Sequence, residues 1–174
     1  MTPVTSKVCV VGDFAVGKTS VVERFVTNHF SDKYLSTVGV KIDTKEIEFA
    51  ERGIAHKLVI WDVAGADRFG DVEFSYLRGA SGFIYVADGT RSLTLKSVEQ
   101  LHTQITEKYG PAPSVLLVNK SDLVADWSIS DTRFDELADN FARAYRSSAK
   151  TGDEVDQAFK RLAALIIDND LQRA

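Results

Sequence analysis

The sequence predicts one open α/β domain in which a mostly parallel sheet carries helices on both faces. Three observations lead there. The apolar run Lys7 to Val11 breaks at Gly12 and gives way to a helical stretch from Lys18 to Thr27, so a buried strand, a glycine loop and a helix follow one another. Gly82 to Asp88 and Ser114 to Asn119 are two further short apolar runs, with a helix-length segment from Leu93 to Tyr109 between them. Strands that alternate with helices pair in parallel, because the helix supplies the crossover.

The other elements follow in order. Two β-rich runs, Val38 to Phe49 and His56 to Val63, are split by the turn candidate Glu51-Arg52-Gly53, which predicts a hairpin. Toward the C-terminus Phe134, Leu137, Ala138 and Phe141 recur at helical spacing, as do Val155, Ala158, Phe159, Leu162 and Ile166; both sets read as core-facing stripes. At 174 residues the chain has the size of a single compact domain, so residues 1–174 are expected to form one unit. With 44% hydrophobic and 26% charged residues and only three prolines, nothing points to long disorder.

Composition also narrows the function. A net charge of −4, with no run of lysines or arginines, argues against a nucleic-acid surface. No apolar run approaches the length of a membrane span, and the opening residues MTPVTSK lack the apolar core of a signal peptide, so a cytoplasmic location is expected. The single cysteine, Cys9, sits inside an apolar run, which rules out an internal disulfide and reads as a buried thiol. His29, His56 and His102 form no cluster, so neither a zinc site nor a Cys–His catalytic pattern is expected.

In an open α/β fold ligands bind beyond the carboxyl ends of the strands, and the distinctive residues of this chain fall there. Gly12, Gly17, Lys18 and Thr19 match the pattern G-x-x-x-x-G-K-[ST], placed between a strand and a helix. Glycines let the backbone wrap a phosphate chain with its N–H groups, and the helix N-terminus favours the negative charge. Asp13, Phe14, Ala15, Val16, Gly17, Lys18, Thr19 and Ser20 are therefore the candidate phosphate contacts, with Lys18 reaching the outer phosphates and Thr19 ligating magnesium. An ordinary glycine turn would not need the lysine, the hydroxyl and both flanking elements together.

A phosphate loop does not name the base. Beyond the strand Ser114 to Asn119 stands Asn119-Lys120-Ser121-Asp122, and further on comes Ser148-Ala149-Lys150. A carboxylate at Asp122 can accept from the N1–H and 2-amino groups of guanine, donors that adenine does not present together, and an N–H near Ala149 can meet the guanine O6. On this reading the ligand is GTP or GDP with Mg²⁺.

With these motifs in place the sequence resembles the Ras superfamily of small GTPases, most closely its Rab branch, from Lys7 to about Ile167. The resemblance implies a P-loop NTPase (small G protein) fold: a six-stranded sheet with one antiparallel strand. It implies a first switch over Phe30 to Val40, in which Thr37 holds the metal and the γ-phosphate, Phe30 packs near the guanine and Tyr34 closes over the phosphates. It implies a second switch from Trp61-Asp62-Val63-Ala64-Gly65, with Asp62 holding magnesium through water and the Gly65 N–H meeting the γ-phosphate. Lys18, Thr37 and Gly65 are then the residues implied to assist hydrolysis. Ile42, Trp61 and Tyr76 fall where Rab proteins carry a hydrophobic effector-binding triad that usually begins with phenylalanine; Trp61 read alone is equally a buried strand residue. Effector and regulator proteins are the implied partners of a monomer.

The chain departs from the family pattern in three places. Ala66 stands where the family places the glutamine that orients the attacking water, and the neighbouring Asp67 would bring negative charge toward the γ-phosphate instead. Phe14 stands where Rab proteins carry small residues, and it either projects toward the space an arginine finger must enter or turns outward as surface packing. The end, NDLQRA, lacks the cysteines by which Rab proteins are prenylated, so the sequence as given is either shortened there or a soluble relative without a stable anchor. Two functions remain open: a slow GTP-hydrolysing switch, and a platform that stays loaded with GTP.

The base-reading assignment has a direct test. Asp122→Asn exchanges an acceptor-only group for an amide, so guanine nucleotides should bind more weakly and xanthine nucleotides relatively better. Competition binding with GTP, XTP and ATP checks this, and equal affinity of the parent chain for ATP and GTP would end the guanine reading.

Overall fold

A computed structural model describes residues 1–30, 39–65 and 74–173. In chain order its main elements are β1 (Thr2–Val11), α1 (Lys18–Thr27), β2 (Val40–Phe49), β3 (Ile54–Val63), β4 (Gly82–Asp88), α2 (Leu93–Tyr109), β5 (Ser114–Asn119), α3 (Asp131–Ala138), β6 (Arg143–Arg146) and α4 (Val155–Arg173). The strands form one sheet in the order β2-β3-β1-β4-β5-β6. Only β2 and β3 pair antiparallel, as the hairpin reading expects, and their turn closes at Gly53 with φ +64°. The other four pairings are parallel.

The sheet divides the core in two because successive strand residues face opposite ways. Val8 and Val10 of β1 point to one side with Ile84, Val86, Val115 and Leu117, where α1 and α4 cover them. Cys9 and Val11 point to the other with Tyr85, Leu116 and Val118, beneath α2 and α3. Strands covered on both faces read as continuous apolar runs. Burial pushes the Cys9 thiol up to about 12, against a smaller opposing effect of the Lys7 charge. Among the described residues no helix is long and apolar enough to cross a membrane.

Three elements differ from the sequence reading. β1 begins at Thr2 rather than Lys7, because Thr2 to Ser6 pair in register with Ile54 to Leu58; their partly exposed, polar sequence gave no apolar run to see. The strand β6 is short, with exposed arginines at both ends, and forms by parallel pairing with β5. α3 stops at Ala138, so Phe141 lies beyond the helix, yet it is buried against the Tyr85 and His102 rings. Val38, expected to open β2, lies outside the described residues.

Parallel pairing places the carboxyl ends of β1, β3, β4, β5 and β6 along one edge, and the loops that leave them meet there. The core beneath holds that edge together. Phe25 of α1 and Phe159 of α4 stack with ring centroids 4.2 Å apart and planes 2° from parallel. Phe159 is fully buried, so Phe159→Ala should cost about 3–5 kcal/mol through lost transfer energy and a residual cavity. Urea unfolding should show a lower midpoint with an unchanged slope.

Candidate functional site

The glycine loop between β1 and α1 folds tightly for reasons visible residue by residue. Gly12 has φ +154°, and a Cβ there would collide with the Val86 carbonyl of the neighbouring strand. Gly17 has φ +99°, and its Cβ would fall 2.5 Å from the Asn119 Nδ2. It also occupies the N-cap of α1 without a side-chain cap, whereas the Ser130 hydroxyl accepts from the Arg133 N–H at the start of α3. The first turn of α1 thus presents N–H groups that no capping side chain takes, the arrangement that suits an anion. Ser20 lies within that turn.

Lys18 is buried and donates to the Asp13 carbonyl at 2.8 Å. Burial pulls its ammonium down to about 8, with the Asp62 and Asp13 carboxylates opposing and the Arg91 charge adding to the depression. A buried cation so depressed gains from any anion brought beside it, so the lysine fits a phosphate ligand. The Thr19 hydroxyl donates to the Asp62 Oδ2 at 2.6 Å, which joins the two described candidates for metal binding at the ends of α1 and β3. A hydroxyl and a carboxylate are oxygen donors of the kind magnesium prefers. Gly65 lies against the loop itself: a Cβ there would meet Asp13 C, Gly12 O and Phe14 N at 2.6 Å.

The base-reading candidates reach the same loop. Asn119 donates through Nδ2 to the Val16 carbonyl at 3.1 Å, and its Oδ1 accepts from the Ser147 hydroxyl at 3.2 Å and the Ala149 N–H at 3.3 Å. The last is a long bond, at the weak end of the range. Lys120 donates to the Ala15 carbonyl at 3.0 Å. The Ser148 hydroxyl donates to the Asp122 Oδ1 at 2.7 Å, and the Lys150 carbonyl accepts from Arg24 at 2.6 Å.

Three further residues come together beside this edge. Ile42 faces Trp61 across the β2–β3 pair, and the Trp61 and Tyr76 rings lie 6.4 Å apart. Ile42 is half exposed and Trp61 half-buried, with the Lys7 ammonium 3.7 Å from its ring centroid. The Phe14 side chain is 44% exposed, and Phe30 is also exposed at the end of a described segment. Tyr34, Thr37 and Ala66, like Asp67, lie outside the described residues.

With this geometry in view, the family model described as "Ras family" matches residues 7–168. The chain belongs to the Ras family. It is 38% identical over 176 residues to Ras-related protein Rab-32A of Dictyostelium discoideum, covering 96% of this chain and 80% of that one. To Ras-related protein Rab-13 of Mesocricetus auratus it is 36% identical, covering 92% and 79%. To Ras-related protein Rab-32 of Homo sapiens it is 34% identical, covering 94% and 75%. The chain is a Rab-like small GTPase, a molecular switch; the alternative of a permanently loaded platform is not favoured by these relatives.

In this GTPase several groups at the site carried no sequence motif. Asp88, fully buried at the end of β4, accepts from the Thr90 N–H and hydroxyl on Oδ1 and pairs with Lys120 at 2.8 Å on Oδ2. Burial alone would raise its carboxyl, but the bonds from Lys120 and Thr90 outweigh that and hold it below the usual carboxylate range. Arg24 of α1 donates to the Ala149 carbonyl at 2.8 Å as well as to Lys150, and Arg91 reaches the glycine loop. The only advance signal was position: Asp88 ends a strand on the same edge as the motifs.

Lys18→Ala and Thr19→Ala should each weaken GTP binding about tenfold to a hundredfold, the scale of a charge-assisted hydrogen bond lost from a buried site. Calorimetric titration with GTP in magnesium buffer checks both, and unchanged affinity in the two variants would mean the loop is misread.

Proposed function

We propose that this GTPase binds GTP and GDP with magnesium along the edge where the parallel strands end, and that residues 1–174 act as one G domain. The observation that carries the reading is the linkage of Asn119 and Lys120 to the carbonyls of Val16 and Ala15, since it couples a base-reading loop to a phosphate-binding loop. Magnesium, when bound, would supply charge neutralisation for the phosphates. Around it, Thr19 and Asp62 provide oxygen donors, Lys18 holds the outer phosphates, and the loop amides from Asp13 to Ser20 surround the rest. Asp122 and a loop N–H near Ala149 read the guanine, with Ser148 orienting the carboxylate, and Lys150 completes that loop.

The reading extends to the switches. Thr37 and Gly65 are assigned to the γ-phosphate, Tyr34 to its cover and Phe30 to the guanine edge, so hydrolysis would release the segments that carry them. The Ile42, Trp61 and Tyr76 cluster is assigned to effector binding, on a monomer in the cytoplasm. Hydrolysis is assigned a slow intrinsic rate, because phosphoryl transfer depends on positioning and Ala66 cannot orient water as a glutamine would. A ten- to hundredfold loss corresponds to about 1.4–2.8 kcal/mol of barrier.

Single-turnover hydrolysis by four chains tests this reading. Ala66→Gln should speed the parent modestly and Phe14→Gly little, while the double variant should exceed the product of the two, because neighbours in one site are not additive. Strictly multiplicative rates would place Phe14 outside the reacting space. Brisk hydrolysis by the parent would show that another group positions the water.

A further inference from the structure

The carbonyls of four consecutive loop residues, Asp13 to Val16, each accept a hydrogen bond from a side-chain N–H. Lys18 donates to Asp13 at 2.8 Å, Lys120 to Ala15 at 3.0 Å and Asn119 to Val16 at 3.1 Å. Arg91 addresses the remaining one: its two terminal nitrogens lie 3.3 and 3.2 Å from the Phe14 carbonyl, and one also reaches Ala15 at 3.4 Å. The first three donors belong to the two nucleotide motifs. Arg91 belongs to neither, and comes from the turn between β4 and α2.

We infer that Arg91 is a positioning residue for nucleotide binding, fixing the Phe14–Ala15 turn so that its amides face the phosphates. The inference rests on the proposed role of the loop. In a peptide unit the C=O and N–H point in opposite directions, so a donor that holds the carbonyl outward holds the next amide inward. This turn needs such a tie because Ala15 adopts φ +64°, a left-handed conformation that a residue with a Cβ avoids. The guanidinium fork addresses two adjacent carbonyls from one rigid plane, whereas an ammonium is a point charge on a flexible stem.

The turn that carries Arg91 is itself held. The Thr94 hydroxyl and N–H both donate to the Arg91 carbonyl, at 2.7 and 3.0 Å, and the Asp88 N–H donates to the Thr94 hydroxyl at 2.8 Å. The Asp88 carboxylate, already paired with Lys120, lies 3.7 Å from the Arg91 guanidinium. One buried carboxylate therefore lies beside both cations that tie Ala15.

The test loads the full chain with methylanthraniloyl-GDP and follows release into excess unlabelled GDP, with the thermal midpoint of the loaded protein measured alongside. Arg91→Ala should release nucleotide about three- to tenfold faster, the scale of a charge-assisted hydrogen bond at a partly exposed site. Arg91→Lys should fall between, since it keeps the charge and loses the fork. Ala15→Gly relaxes the turn, so Arg91→Ala should accelerate release less in that background than in the parent. Unchanged release in Arg91→Ala overturns the inference. So does an equal acceleration in both backgrounds, which a merely structural role predicts. If Arg91→Ala does not fold, Arg91→Lys in the two backgrounds makes the same comparison. A parent chain that takes up no labelled GDP would overturn the nucleotide reading as well, whereas uptake with indifferent Arg91 variants would overturn this inference alone.

Discussion

The side chain of Asn119 is the joint on which the arrangement of the candidate site depends. It ends β5 almost fully buried, where an unsatisfied amide would be costly, and both of its ends are engaged. Its N–H group holds the loop after β1, while its carbonyl holds the loop after β6 through Ser147 and Ala149. Three segments distant in sequence meet on one amide. The contact also explains a neighbour: Gly17 is required where the asparagine nitrogen occupies the space a Cβ would fill.

Charge completes what the amide begins. Asp88 sits fully buried at the end of β4, and its burial is tolerated because Thr90 donates twice to Oδ1 and the Lys120 ammonium lies 2.8 Å from Oδ2. Such a carboxylate is strongly constrained: removing its partners would leave a charge uncompensated in a poorly polarisable setting. Its constraint passes to Lys120 and so to the Ala15 carbonyl, which links the conformation of the loop to the end of β4. The opposite side of the loop is governed by Gly65, whose missing side chain lets the segment just beyond β3 pass close to the loop backbone.

Much of this was legible in the sequence, and the limits have physical causes. The strands covered on both faces announced themselves as apolar runs, and the loop Gly12 to Ser20 carried its chemistry in adjacent residues, so spacing alone revealed it. The first half of β1 was hidden because Thr2 to Ser6 owe their strand conformation to pairing with Ile54 to Leu58 rather than to an apolar pattern. Phe141 kept its place in the core but lost its helix, since the periodicity of apolar residues cannot distinguish a last helical turn from a chain folding back. Arg24 and Arg91 were not legible at all. Both act on backbone carbonyls more than seventy positions away, and a carbonyl carries no signature in a sequence. Ala66, by contrast, stood out only against the family pattern, because an alanine by itself signals no chemistry.

The placement of Cys9 has a practical consequence for chemistry at the surface. It is the chain's sole thiol, fully enclosed in the centre of β1, and its proton is held so firmly that almost no thiolate exists at neutral pH. Electrophiles that alkylate cysteine need both access and the thiolate, and the folded protein offers neither. A cysteine introduced at an exposed position would therefore be the single reactive sulfur on the molecule, and a dye or spin label could be attached there without first removing the native one.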